Sequence, residues 1–152
     1  MANTKTLVDS SARREIVNRL LSGESAVWVL IESGNKEKDD RAVVEIEKAI
    51  AKAEAELKIP DGVLTVAEAR KISAGNERDL NATLRSSIPL KIKFSLMRIA
   101  RTNPEESIFR EMLLHMESDL GEFRNEPIVF PVFGRGRVLE PLIARGINCA
   151  NM

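Results

Sequence analysis

The sequence predicts an α/β fold, and three observations carry that expectation. Ala26-Val27-Trp28-Val29-Leu30-Ile31 is a continuous apolar run of the kind found in strands buried on both faces. It leads through Glu32-Ser33-Gly34 into a stretch from Lys36 to Leu57 whose apolar residues Val43, Ile46, Ala49, Ile50, Ala53 and Leu57 recur at helical spacing. Near the end, Ile128–Phe133 and Val138–Ile143 flank Gly134-Arg135-Gly136-Arg137, which reads as a β-hairpin. At 152 residues with 43% hydrophobic and 30% charged residues, the chain has the size and composition of one globular domain.

The remaining elements come in order. Ser10 or Ser11 caps a first helix bearing Ile16, Val17, Leu20 and Leu21, with Gly23 just past its end. In the long helix, Asp39 and Asp40 suit the positive end of the dipole, and the outer face is charged. From Pro60 to Pro89 the pattern is irregular, with short helices expected from Thr65 to near Gly75 and from Asn76 to Arg85. Leu90 to Ala100 alternates and reads as a strand. Asn103-Pro104-Glu105-Glu106 opens a helix with a cap, a proline and two first-turn carboxylates, and Ile108, Phe109, Met112, Leu113 and Met116 form its apolar stripe. Pro131 conflicts with a regular inner strand and predicts a bulge or break beside it.

Composition excludes several function classes. Lys and Arg number 23 and Asp and Glu 23, so nothing in the net charge draws the chain to nucleic acid or a membrane surface. Only one cysteine, Cys149, and one histidine, His115, are present, which removes internal disulfides, CxxC chemistry and Cys/His metal sites. No metal and no cofactor is expected. No apolar run is long enough to span a bilayer, and the N-terminus lacks a signal-peptide core. A cytoplasmic location is the default; both ends look cut, and a domain excised from an exported precursor would be periplasmic instead.

The order of elements, with Glu126-Pro127 directly before the hairpin segment Pro127–Val138, resembles the thioredoxin fold from about residue 11 to residue 147. The resemblance implies a three-layer sandwich with helices on both faces of a mixed four-stranded sheet. Its strands would run 90–100, 26–32, 128–133, 138–143 across the sheet. The whole chain, 1–152, would be one domain, with a core at 11–147, a helical insertion at 60–89 and a final helix missing or reduced. It also implies that the Glu126–Pro127 bond is cis, that Ala26–Ile31 is the central strand and that Trp28 is largely buried. The family's active-site loop would fall at Ser33 to Asp40, where this chain has no cysteine, so dithiol chemistry is lost.

The resemblance points to a redox-inactive module that is more a binding domain than an enzyme. A protein or peptide partner would lie in the groove beside the cis-proline, lined by Ser33, Asn35, Lys36, Glu126 and Pro127, held by strand-like backbone bonds. Asn35 and Lys36, as exposed loop positions, would tolerate alanine at little cost in stability. The sheet face left bare by a missing last helix offers a surface for self-association. The alternative is a glutathione- or thiol-dependent enzyme using Ser33 or Cys149, since glutathione transferases place a hydroxyl where Ser33 falls. A capping role for Ser33 and an incidental thiol at Cys149 are the simpler readings. His115 with Met112 and Met116 suggests soft-metal ligation, but methionines at helical spacing are more often core. Arg85, Lys91, Lys93, Arg98 and Arg101 form a run without acidic residues. With six aromatic residues in the whole chain, that run reads as a solvated face and not as a nucleic-acid platform.

Overall fold

A computed structural model describes residues 9–60, 63, 88–89 and 91–152. The two helices expected within 60–89, the start of the second strand at Leu90, and Arg85 lie outside the described residues. The elements are α1 (Ser11–Leu21), β1 (Ala26–Ile31), α2 (Lys36–Glu56), β2 (Phe94–Ile99), α3 (Ser107–Leu114), a 3-10 turn (Leu120–Phe123), β3 (Ile128–Phe133), β4 (Arg137–Val138), β5 (Leu142–Ile143) and a second 3-10 turn (Ala144–Gly146). They build an α/β domain around an open mixed sheet in the order β2-β1-β3-β4, with β5 also paired to β3.

β1 is the centre of this sheet. It runs parallel to β2, with Ala26 opposite Phe94 and Ile31 opposite Ile99, and antiparallel to β3, with Val29 opposite Phe130. Its six apolar residues divide by strand alternation between two cores. Val27, Val29 and Ile31 pack with Ala12 and Ile16 of α1, Leu113 and Leu114 of α3, Leu120, Ile128 and Phe130. Leu30 packs on the opposite side with Ala42 and Ile46 of α2, Val129 and Ile147. Both faces of β1 are therefore covered, which is why the run has no polar residue.

Trp28 is half-buried, not largely buried as its place in the central strand suggests. It lies at the margin of the α2-side core with Val43 and Ile50, opposite Pro131 on β3. Strand alternation fixes which face it occupies; α2 covers Leu30 more completely.

The sheet has five strands, not four, because the last expected strand is divided. Val132 pairs with Val138, whereas Val129 pairs with Leu142, so the outer chain holds one extra residue between the two registers. Pro131 and Pro141 sit at this bulge, and the Pro131 carbonyl accepts from the N–H of Leu139 at 3.2 Å. Neither proline can donate to the ladder, so the interruption expected of Pro131 falls where two donors are missing.

Gly23 closes α1 with φ +99°, and a Cβ there would stand 2.4 Å from the backbone oxygen of Pro89. Only glycine meets both demands. Beyond the last strand the chain folds back onto the α2 side, where Ile147 is buried and Met152 packs against the same core. The 3-10 turn Ala144–Gly146 leads into this segment, so residues 144–152 lie on the α2 side of the sheet.

α3 departs from expectation in two ways. It begins at Ser107 instead of at Pro104, and Asn103 makes a local turn by accepting from the N–H of Glu105 at 3.0 Å. Its buried side is Leu113 and Leu114, while Met112 and Met116 are exposed at 57% and 45%. Glu106, expected in the first turn of α3, is instead a buried carboxylate at the start of α1. Its Oε1 accepts from the hydroxyl of Ser11 and the N–H of Ala12, both at 2.8 Å, at the start of α1. A carboxylate there meets orphan N–H groups and the positive end of the dipole.

Burial alone would raise the Glu106 pKa, but the hydroxyl of Ser10, the N–H of Ala12, the hydroxyl of Ser11 and the charge of Arg13 outweigh it and hold the pKa below the ordinary glutamate value. A folded-state pKa below the unfolded one stabilises the protein above the unfolded value of about 4.3, and that contribution is lost as pH falls through the folded pKa. Glu106→Gln is therefore expected to be less stable than wild type at pH 7, with the gap closing under acid. Thermal melts at pH 7 and at about pH 3.5 would show it. An equal gap at both pH values would mean that the charge of Glu106 contributes nothing.

Candidate functional site

The loop after β1 is organised by Asp39, a buried residue on the first turn of α2. Its Oδ1 accepts from the N–H of Ser33 at 2.7 Å and from the Ser33 hydroxyl at 2.8 Å, and its Oδ2 accepts from the N–H of Gly34 at 3.1 Å. Asn35 is the N-cap of α2, its Oδ1 accepting from the N–H of Lys38 at 3.1 Å. That role corrects the view of Asn35 as a neutral loop position, since removing such a cap costs about 1 kcal/mol.

Lys38 joins this loop to the segment before β3. Its ammonium pairs with the Glu126 carboxylate and donates to the Asn125 carbonyl at 3.3 Å. Arg101 makes a second bridge, its Nε donating to the Glu32 carbonyl at 3.0 Å and its Nη2 to the Glu126 carbonyl at 3.4 Å.

The Glu126–Pro127 bond is trans: no described peptide bond is cis. The chain turns before this point, where the N–H of Glu126 donates to the Phe123 carbonyl at 2.9 Å. It then enters β3 already extended, with the Pro127 carbonyl accepting from Ala144 at 2.9 Å. Nothing there offsets the roughly 0.5–1 kcal/mol by which trans is preferred before proline. The cis-proline expected from the resemblance is thus absent, and with it that feature of the groove.

A groove of about 1170 Å³ lies between the start of α2, residues 122–127 and the tail at 143–148. Asn35, Glu126 and Pro127 line it together with Lys38, Arg41, Phe123 and Ile147. Ser33 and Lys36 do not. Ser33 is turned to Asp39, and Lys36 pairs with Asp40 along the helix surface. Sequence reasoning does not single out Lys38, Asp39 or Phe123 as site residues; the spacing of Asn35 and Lys38 from the end of β1 is a usable signal for the loop, whereas Phe123 gives none.

A second cavity of about 670 Å³ runs along β2, lined by Arg19, Val43, Glu47, Leu96, Arg98 and Glu106 among others. There the strand edge is already engaged: Glu54 accepts from the N–H of Phe94 at 2.8 Å, and Arg19 donates to the Leu96 carbonyl at 3.1 Å. Such contacts blunt a sheet edge against pairing.

The other candidates have structural partners. His115 is exposed, with Nδ1 2.7 Å from the Glu111 carbonyl oxygen, and Met112 receives a contact from Arg13. Among the described residues no group of three or more His, Cys, Asp or Glu could hold a metal. The basic run is not simply solvated: Lys91 donates to the Ser22 carbonyl, Lys93 pairs with Glu54 and Arg98 with Glu32. Among the described residues no helix is long and apolar enough to cross a membrane.

Fold and site together define a mixed α/β domain with an open, charged groove at the carboxyl end of its central strand. Comparison with protein-family models, with curated proteins and with solved structures finds no match for the chain.

Proposed function

We propose that the chain is a redox-inactive, thioredoxin-like binding module whose groove takes an extended segment of a protein or peptide partner. The observation that carries this reading is the groove itself, lined by charged side chains and by the buried Ala42, Pro127 and Ile147. Support for the thioredoxin-like part comes from the sheet order β2-β1-β3-β4, with β1 and β2 parallel and β3 antiparallel to β1. The trans Pro127 withdraws the family's cis-proline contact, so recognition rests on side chains and on the backbone at 143–148. Ser33 is a poor nucleophile here: its proton partner is the Asp39 carboxylate, and no histidine lies in the loop.

Phe123 is the groove's exposed aromatic and the natural anchor for a partner. Peptides selected from a random displayed library against the wild-type chain are expected to bind Phe123→Ala about tenfold more weakly, a loss of roughly 1.4 kcal/mol. The variant should melt within about 1 kcal/mol of wild type. Selected peptides that bind both proteins equally would place recognition elsewhere.

A further inference from the structure

The cavity of about 670 Å³ along β2 holds an acceptor that the fold leaves unused. Glu106 lines it, and so do Ser11 and Ala12, the two residues that donate to Glu106 at the start of α1. Both donors go to Oε1; Oε2 is buried and has no hydrogen-bond partner among the described residues. A buried acceptor without a donor is costly, and more so on a charged group. Glu106 is such a group at neutral pH. Burial opposes its ionisation, but the neighbouring hydroxyls of Ser10 and Ser11 and the N–H of Ala12 hold its pKa below the ordinary glutamate value.

We propose that this cavity binds a small aliphatic primary amine, its ammonium donating to Oε2 of Glu106 and its alkyl chain lying against Val43 and Leu96. The charges around the cavity select a cation. Its two guanidinium groups already have acidic partners, Arg19 with Glu15 at 2.7 Å and Arg98 with Glu32 at 2.6 Å. Glu106 and Glu47, which also line it, form no ion pair among the described residues. Arg13, whose charge acts on Glu106, does not line the cavity. Its guanidinium lies 5.1 Å from the centre of the Phe109 ring and donates to Sδ of Met112.

The available acceptor selects the kind of cation. A guanidinium fork asks for two parallel acceptors, and here Oε1 is already taken, whereas a compact ammonium can spend one donor on a single oxygen. A metal ion would need more ligands than one carboxylate oxygen, and among the described residues no group of three or more His, Cys, Asp or Glu could hold one. The half-buried Val43, Leu96 and Met97 give the wall an apolar stretch for a short alkyl chain, and the volume is that of a small-molecule site. Because Oε2 is buried, the ammonium reaches it with a rotamer change among the lining side chains, a common adjustment on binding. None of these residues lines the groove, so this inference stands apart from the peptide-binding reading.

The test is a titration of the wild-type chain with n-butylammonium chloride at pH 7 and fixed ionic strength, following the amide signals of Ala12, Leu96 and Glu106. A saturable response with a midpoint of about 1–10 mM is expected, about tenfold weaker in Glu106→Gln and in Glu47→Lys. 1-Butanol, with the same chain and no charge, should give no saturable response in that range. Glu106 also caps α1, so Glu47→Lys, a change at an exposed position of α2, keeps the test decisive if Glu106→Gln fails to fold. No saturable response, an unchanged midpoint in either folded variant, or an equal response to 1-butanol would each overturn the assignment.

Discussion

Phe130→Ala is expected to destabilise the domain by about 3–5 kcal/mol, a large part of the roughly 5–15 kcal/mol that holds a typical domain together. Among the described residues Phe130 is the largest fully buried side chain, with no exposed surface. It lies on β3 opposite Val29 and shares its core with Ile16, Leu113 and Leu120, so α1, α3 and the central strand all contact the volume it fills. Truncation would remove apolar contact and leave a cavity between elements that cannot close around it independently. Urea unfolding of the purified variant measures the loss. A cost below about 1.5 kcal/mol would mean that this core repacks freely, contrary to the two-layer burial described for β1.

Asp39→Ala is expected to cost about 2–4 kcal/mol, although it removes few apolar contacts. Three donors converge on the Asp39 carboxylate from Ser33 and Gly34, and the side chain also sits near the positive end of α2. Hydrogen bonds to a charged acceptor contribute about 1.5–3 kcal/mol each and do not add simply, because the N–H groups left behind lose their partner together. Amide exchange at Ser33 and Gly34 should accelerate more than exchange within β1, which separates loop release from global unfolding. Asp39→Asn keeps the shape with a single acceptor oxygen and should fall between wild type and alanine.

The sheet is legible in the sequence wherever a local pattern forces a global answer. Six apolar residues from Ala26 to Ile31 leave no solvent face, so the strand has to be central, and its ends fall where the run ends. Pro131 cannot donate to a neighbour, and the outer strand breaks opposite it. The start of α3 is not legible, because the residue that decides it bonds across 94 positions of sequence: Glu106 serves α1 instead of supporting its own first turn. Trp28 shows the same limit, since alternation assigns a face but not the depth of what covers it.

The candidate site divides along similar lines. Asn35, Glu126 and Pro127 stand out from their position after β1 and before β3, which topology alone brings together. Lys38, which links the two segments, looks in sequence like any charged residue on a solvated helix face. The trans geometry of Pro127 depends on how the chain arrives from the turn at Phe123, and the residues flanking the proline carry no sign of it.

The claim that the groove is the binding surface is tested most directly by mapping amide chemical-shift changes as a selected extended peptide is titrated into the isotope-labelled chain. The largest changes are expected at Asn35, Lys38, Asn125, Glu126 and Ile147, around the groove between α2 and the tail. Changes concentrated instead on the exposed Met112 and Met116 of α3, or along the Leu96–Arg98 edge of β2, would contradict it.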